Sequence, residues 1–119
     1  MRKALLFGLL LGTFASGAAG QTLDGVYAVG GTNFDGSAYS GTAEIRSGKN
    51  GCAIVWRTGQ TVSQGACIVS GRSMAAVYKL GNEYGLVLYD RATDGSLKGR
   101  WTIPGKQGEG SETLVPKKN

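Results

Sequence analysis

Gly51-Cys52-Ala53-Ile54-Val55-Trp56-Arg57-Thr58-Gly59-Gln60-Thr61-Val62-Ser63-Gln64-Gly65-Ala66-Cys67 is the stretch that decides the fold. Two runs of β-formers flank Gly59-Gln60, a two-residue signal for an antiparallel hairpin. With that pair at the tip, facing positions sum to 119, so Cys52 meets Cys67. Cysteines directly opposed across a ladder are close enough for a disulfide. The same register sets Ile54 against Gly65 and Trp56 against Ser63, large against small. A metal or redox pair is the alternative use of two cysteines. Metal sites usually need more ligands, and the chain has no histidine and no third cysteine. The bridge would close a loop of about 15 residues, worth on the order of 3 kcal/mol in the chain-entropy model.

The same grammar repeats outward from this hairpin. Turn signals recur at Asp24-Gly25, Asp35-Gly36, Asn50-Gly51, Thr58-Gly59, Ser70-Gly71, Gly81-Asn82, Asp94-Gly95 and Gly105. They bound eight predicted strands at 25–31, 37–47, 51–58, 61–70, 73–80, 84–91, 96–103 and 109–115. Alternation is clear in several. Tyr39, Gly41, Ala43 and Ile45 share one face and Ser40, Thr42, Glu44 and Arg46 the other, while Leu97, Gly99, Trp101 and Ile103 oppose Lys98, Arg100 and Thr102. Beyond the N-terminus no stretch has helical apolar spacing. The reading is all-β: a single small antiparallel eight-stranded meander barrel with one disulfide, closed because closure removes two edges that would invite aggregation. Gly41, Gly65 and Gly99 fall on the inward face, where a glycine lets a strand bend and leaves room for a large neighbour such as Trp56 or Trp101. Asp35-Gly36-Ser37 and Asp94-Gly95-Ser96 echo one another, which shared turn chemistry explains better than duplication.

The chain begins Met1-Arg2-Lys3, continues with the apolar run Ala4–Phe14, and then turns to small residues up to Gly20. That order is the layout of a secretory signal peptide, and the apolar run is too short for a bilayer, which needs about 20 residues. Residues 1–20 are therefore expected to be removed, leaving 21–119 as one β-barrel domain, periplasmic or secreted, without a membrane span in the mature form. Losing Arg2 and Lys3 lowers the formal charge from +5 to +3. The remaining cations are scattered, so no nucleic-acid partner is expected.

Little in the chain carries chemistry. Without histidine, Ser-His-Asp and Cys-His nucleophile systems are excluded. No catalytic residue, metal or cofactor is expected, and the protein reads as a non-enzyme. Of eight carboxylates, only Glu112 is set to point inward, beside Leu114. It reads as a structural carboxylate that closes the last strand onto the first, accepting hydrogen bonds from backbone amides, Arg100 or Arg57. Trp56, Trp101, Tyr39 and Tyr89 are the candidate contacts for a ligand or partner; core filling is the competing use of strand aromatics. Ala53-Ile54-Val55, Ala75-Ala76-Val77 and Leu86-Val87-Leu88 are apolar on both faces, as a strand covering a partner would be.

Gly25-x-Tyr27-x-Val29-x-Gly31, Asp35-Gly36-x-x-Tyr39-x-Gly41-x-x-x-Ile45, Val55-Trp56, Leu97-x-Gly99-x-Trp101 and Gly108-x-Gly110-x-Glu112-x-Leu114 together resemble a group of short exported proteobacterial β-barrel proteins of unknown function. Some members of that group are loosely labelled fibronectin-binding. In size and bridge the chain is also similar to the small periplasmic barrels that inhibit lysozyme. It lacks their Ser/Gly-Lys-rich inhibitory loop, so that likeness is one of architecture. The expectation is an exported, non-enzymatic envelope protein that binds or inhibits another protein, or forms a self-dimer. The alternative is a small-ligand carrier with an aromatic-lined barrel mouth, to be distinguished by whether the interior is hollow.

Overall fold

Residues 22–118 are described by the computed structural model; the expected signal peptide lies outside them. Eight strands follow in order: β1 (Gly25–Thr32), β2 (Ala38–Gly48), β3 (Gly51–Thr58), β4 (Thr61–Ser70), β5 (Ser73–Leu80), β6 (Glu83–Arg91), β7 (Leu97–Thr102) and β8 (Gly110–Pro116). Each pairs antiparallel with the next, and β8 returns to β1, so the sheet is a closed barrel. The described residues contain no helix.

The β3–β4 hairpin has the register read from its sequence. Cys52 pairs with Cys67, Ile54 with Gly65 and Trp56 with Ser63, and the cysteines are bonded with Cα atoms 4.9 Å apart. Tight turns follow from local chemistry. Gly59, Gly71 and Gly81 open two-residue turns with φ of 58°, 58° and 59°, a conformation an L-residue with a Cβ seldom adopts. In the β1–β2 and β6–β7 loops, Asp35 Oδ1 accepts from the amide of Ser37 at 2.9 Å, and Asp94 Oδ1 from that of Ser96 at 2.9 Å. The echo between these segments is thus one turn built twice, at opposite ends of the barrel.

Those ends differ. At the end bearing the β2–β3, β4–β5 and β6–β7 connections, Ile45, Ile54, Met74, Leu97 and Leu114 are fully buried and Leu23 packs over them. Tyr27 holds that plug by donating its hydroxyl to the Leu23 carbonyl at 2.7 Å. Burying one such aliphatic side chain is worth about 1.5–3 kcal/mol, so this half carries much of the stability. The other end, under the β1–β2, β3–β4, β5–β6 and β7–β8 connections, is lined by rings and hydroxyls.

Candidate functional site

The aromatic side chains at the second end are seated on glycines. A Cβ at Gly99 would lie 2.6 Å from the Tyr89 ring, and one at Gly65 would lie 3.1 Å from Trp56. Side chains at Gly31, Gly85 and Gly110 would overlap the rings of Tyr39, Tyr78 and Trp101 in turn. Most of these are direct cross-strand partners: Gly31 faces Tyr39, Gly85 faces Tyr78, Gly99 faces Tyr89 and Gly110 faces Trp101. The rings therefore lie over the barrel wall and leave its axis open. Gly99 seats Tyr89, where the sequence had suggested a tryptophan, and the room beneath Trp101 comes from Gly110. Gly41 plays a different part, because a Cβ there would meet the backbone of Arg57 and Thr58, and Gly65 shares that part, since its Cβ would meet the Val77 carbonyl before it met Trp56.

The opening is a cavity of about 350 Å³. Tyr39, Trp56, Tyr78, Tyr89, Trp101 and Glu112 form its wall, and the hydroxyls of Thr58, Thr61 and Ser63 lie toward its mouth. All four aromatic residues singled out in the sequence thus meet Glu112 at one site. Tyr78, another of the strand aromatics, joins them, while the hydroxyl residues were missed. Parity put them inward, but nothing in the sequence says which end of a barrel stays hollow.

Glu112 is 7% exposed and lies at the centre of a polar cluster. Its neighbours across β8 are Gly31 on β1 and Gly99 on β7, which leaves space for two tyrosine rings to approach from either side. Tyr39 donates its hydroxyl to Oε1 at 2.7 Å, Trp56 Nε1 donates to Oε2 at 2.9 Å, and the Tyr89 hydroxyl also donates to Oε2. Trp56 Nε1 has a second, longer acceptor in the Tyr89 hydroxyl at 3.2 Å. The expected arginine partners are a correction. Arg57 and Arg100 occupy outward positions of β3 and β7, and Arg100 instead forms an exposed ion pair with Glu109 at 3.5 Å. Strand parity forbids either guanidinium from reaching the interior.

Burial pushes the Tyr39 and Tyr89 hydroxyls well above the ordinary tyrosine range, and the negative charge of Glu112 adds to the effect. Tyr78 is pushed up to about 12 by the same two causes in the same order. All three remain neutral donors at any physiological pH. Trp101 stacks on Phe34 with ring centroids 4.8 Å apart. Its Nε1 is buried over Gly110 with no hydrogen-bond partner among the described residues.

The outward faces of β4 to β6 carry an apolar strip, and its β5 and β6 parts are among those noticed in the sequence. Ala66 faces Val77 and Ile68 faces Ala75 across one ladder, and Val77 faces Leu86 and Ala75 faces Leu88 across the next. Ile68, Val77, Leu86 and Leu88 are all exposed.

A closed antiparallel meander of eight strands, filled at one end and hollow at the other, places the chain among the up-and-down barrels. A solved structure of a point mutant of the fluorescent protein UnaG is similar, with a TM-score of 0.53 and 9% sequence identity over 81% of this chain and 96% of that one. At that identity the likeness is one of fold alone. No protein-family model and no curated protein matches the sequence.

Proposed function

We propose that this protein binds a small molecule in the hollow end of its barrel. The observation that supports the reading is the cavity of about 350 Å³, walled by five aromatic side chains and one buried carboxylate. Small-molecule sites are mostly apolar hollows of roughly 300–1,000 Å³ with a few convergent polar groups. The hollow interior reverses the order of preference drawn from the sequence, where a protein-binding role stood first. Binding without catalysis fits a chain that has no histidine. The disulfide fits an oxidising compartment, and with the N-terminal layout it supports a periplasmic or secreted setting. Among the described residues no helix is long and apolar enough to cross a membrane.

Prodan, a neutral two-ring fluorophore, tests the reading. Its emission is expected to shift to the blue and intensify with the protein, and Ser63→Phe, which fills the cavity from the β4 wall, is expected to abolish the change. Thr61→Phe serves as a second blocking variant, with circular dichroism confirming the barrel in both. Absence of prodan binding, or binding unaltered by both variants, would overturn the proposal. A second reading, a protein-binding module or self-dimer, rests on the exposed strip of Ile68, Val77, Leu86 and Leu88. Sedimentation at rising concentration checks the self-dimer, and a monomer throughout counts against it.

A further inference from the structure

Charge is distributed unevenly between the inside and the outside of this barrel. Among the described residues no lysine or arginine lines the cavity, and Glu112 is the one charged residue in its wall. Three donors reach the carboxylate, all of them neutral: the hydroxyls of Tyr39 and Tyr89 and the indole of Trp56. A carboxylate has about four acceptor positions, two on each oxygen. Two donors share Oε2 and one meets Oε1, so Oε1 can accept one hydrogen bond more. A glutamine could accept from most of the same donors, so gathering them does not by itself require a full negative charge. Burying an anion without a cation beside it is costly, and such groups mark sites where a charge is used.

We infer that the cavity selects an organic cation, a protonated amine carried on a one- or two-ring apolar body. This rests on the small-molecule reading above and narrows it to a ligand class. The ammonium group would donate to Glu112 Oε1. It would lie among the faces of Tyr39, Trp56, Tyr78 and Trp101, whose π-systems attract cations within about 6 Å of the ring centroid. Two of these pairs stand edge to face, Trp56 with Tyr78 at 5.3 Å and Tyr39 with Trp101 at 6.3 Å, so different walls present ring faces at different angles. The apolar body would rest between Leu80, Val87 and the rings. An anionic ligand would meet Glu112 with no cation to offset the repulsion.

Competition against bound prodan separates this inference from the reading beneath it. The competitors are 2-phenylethylamine, 2-phenylethanol and 3-phenylpropionate, which share a ring and differ in charge. On the unmodified protein the amine is expected to displace prodan at about one-tenth the concentration the alcohol needs, with the acid weakest. In Glu112→Gln the ratio between amine and alcohol is expected to fall to about one. Equal displacement by amine and alcohol, or preference for the acid, would overturn the cation inference while leaving small-molecule binding in place. Failure of prodan to bind the unmodified protein would instead remove the reading on which it rests. The charge series on the unmodified protein decides the matter even if Glu112→Gln does not fold.

Discussion

Tyr89 and Glu112 should be energetically coupled, and a double-mutant cycle measures by how much. Tyr89 is fully buried, and its hydroxyl donates to Glu112 Oε2. In the wild-type background Tyr89→Phe removes a hydrogen bond to a charged group, at a cost of about 1.5–3 kcal/mol. In the Glu112→Ala background that acceptor is already gone. The Tyr89 hydroxyl still accepts from Trp56 at 3.2 Å, but its own proton has nowhere to go except to water entering from the cavity. Removing the hydroxyl there should cost little or even stabilise. Allowing for that water, the expected coupling is about 1–2 kcal/mol. Each 1 kcal/mol corresponds to about 4–8 °C in Tm for a domain of this size. Urea titrations of the four proteins give the free energies, with circular dichroism as the probe. Coupling below about 0.5 kcal/mol, the range of ordinary additivity, would mean that Glu112 does not organise the cluster.

Three further outcomes follow from the geometry. Gly99→Ala sets a methyl against the Tyr89 ring and should destabilise by about 1–3 kcal/mol, whereas Gly30→Ala, with nothing within 4 Å of the added carbon, should be close to neutral; equal melting of the two variants would contradict the seating of rings on glycines. Tyr39, Tyr78 and Tyr89 have folded-state pKa values raised above the unfolded value of about 10, so the folded state holds their protons more tightly. Their stabilising effect is complete below pH of about 10 and is lost as pH rises toward the folded values; alkaline unfolding followed by tyrosinate absorbance should show ionisation and unfolding together, and full ionisation of a still-folded barrel would refute this. Reduction of Cys52–Cys67, which closes a loop with a sequence separation of 15, should cost about 3 kcal/mol and add two hydrogens to the intact mass; unchanged melting in reductant would argue against a stabilising bridge.

Much of the barrel was legible because its information is local. Turns with glycine at positive φ and strands with period-two alternation mark their own ends. The predicted strands end where the observed ones do or one residue away, as at 51–58 for Gly51–Thr58 and 37–47 against Ala38–Gly48. The pairing of Cys52 with Cys67 also followed from one turn and a register. The polar partners of Glu112 did not follow, since opposite charge suggested Arg57 and Arg100 although Arg100 alternates with the inward Gly99 and Trp101. Alternation was the stronger constraint: a side chain on the outer face of a strand cannot cross the sheet to satisfy an inner charge. Leu23 was missed for another reason. It precedes the first strand, where neither period nor turn chemistry announces that a lone leucine will fold back over the aliphatic end.

The pairing of glycine with aromatic residues links the fold to the cavity. A barrel of eight strands has an interior only just wide enough for side chains to fill, so large inward rings would ordinarily close it. Here the rings of Tyr39, Tyr78, Tyr89 and Trp101 lie over cross-strand glycines, along the wall and not across the axis. Three of the five aromatic side chains are then held at their polar tips by a single carboxylate on the closing strand. Neither device would suffice alone. Glycines without Glu112 would leave the hydroxyls of Tyr39 and Tyr89 free to turn inward, while Glu112 without glycines would find the rings forced away from the wall. The aliphatic end makes the arrangement affordable, because Ile45, Ile54, Met74, Leu97 and Leu114 bury their side chains completely and leave the other end free to stay hollow. The same reasoning places the polarity of the cavity under the control of one residue: a change at Glu112 alters charge, ring position and hydroxyl orientation together, and no other side chain in the wall reaches all three.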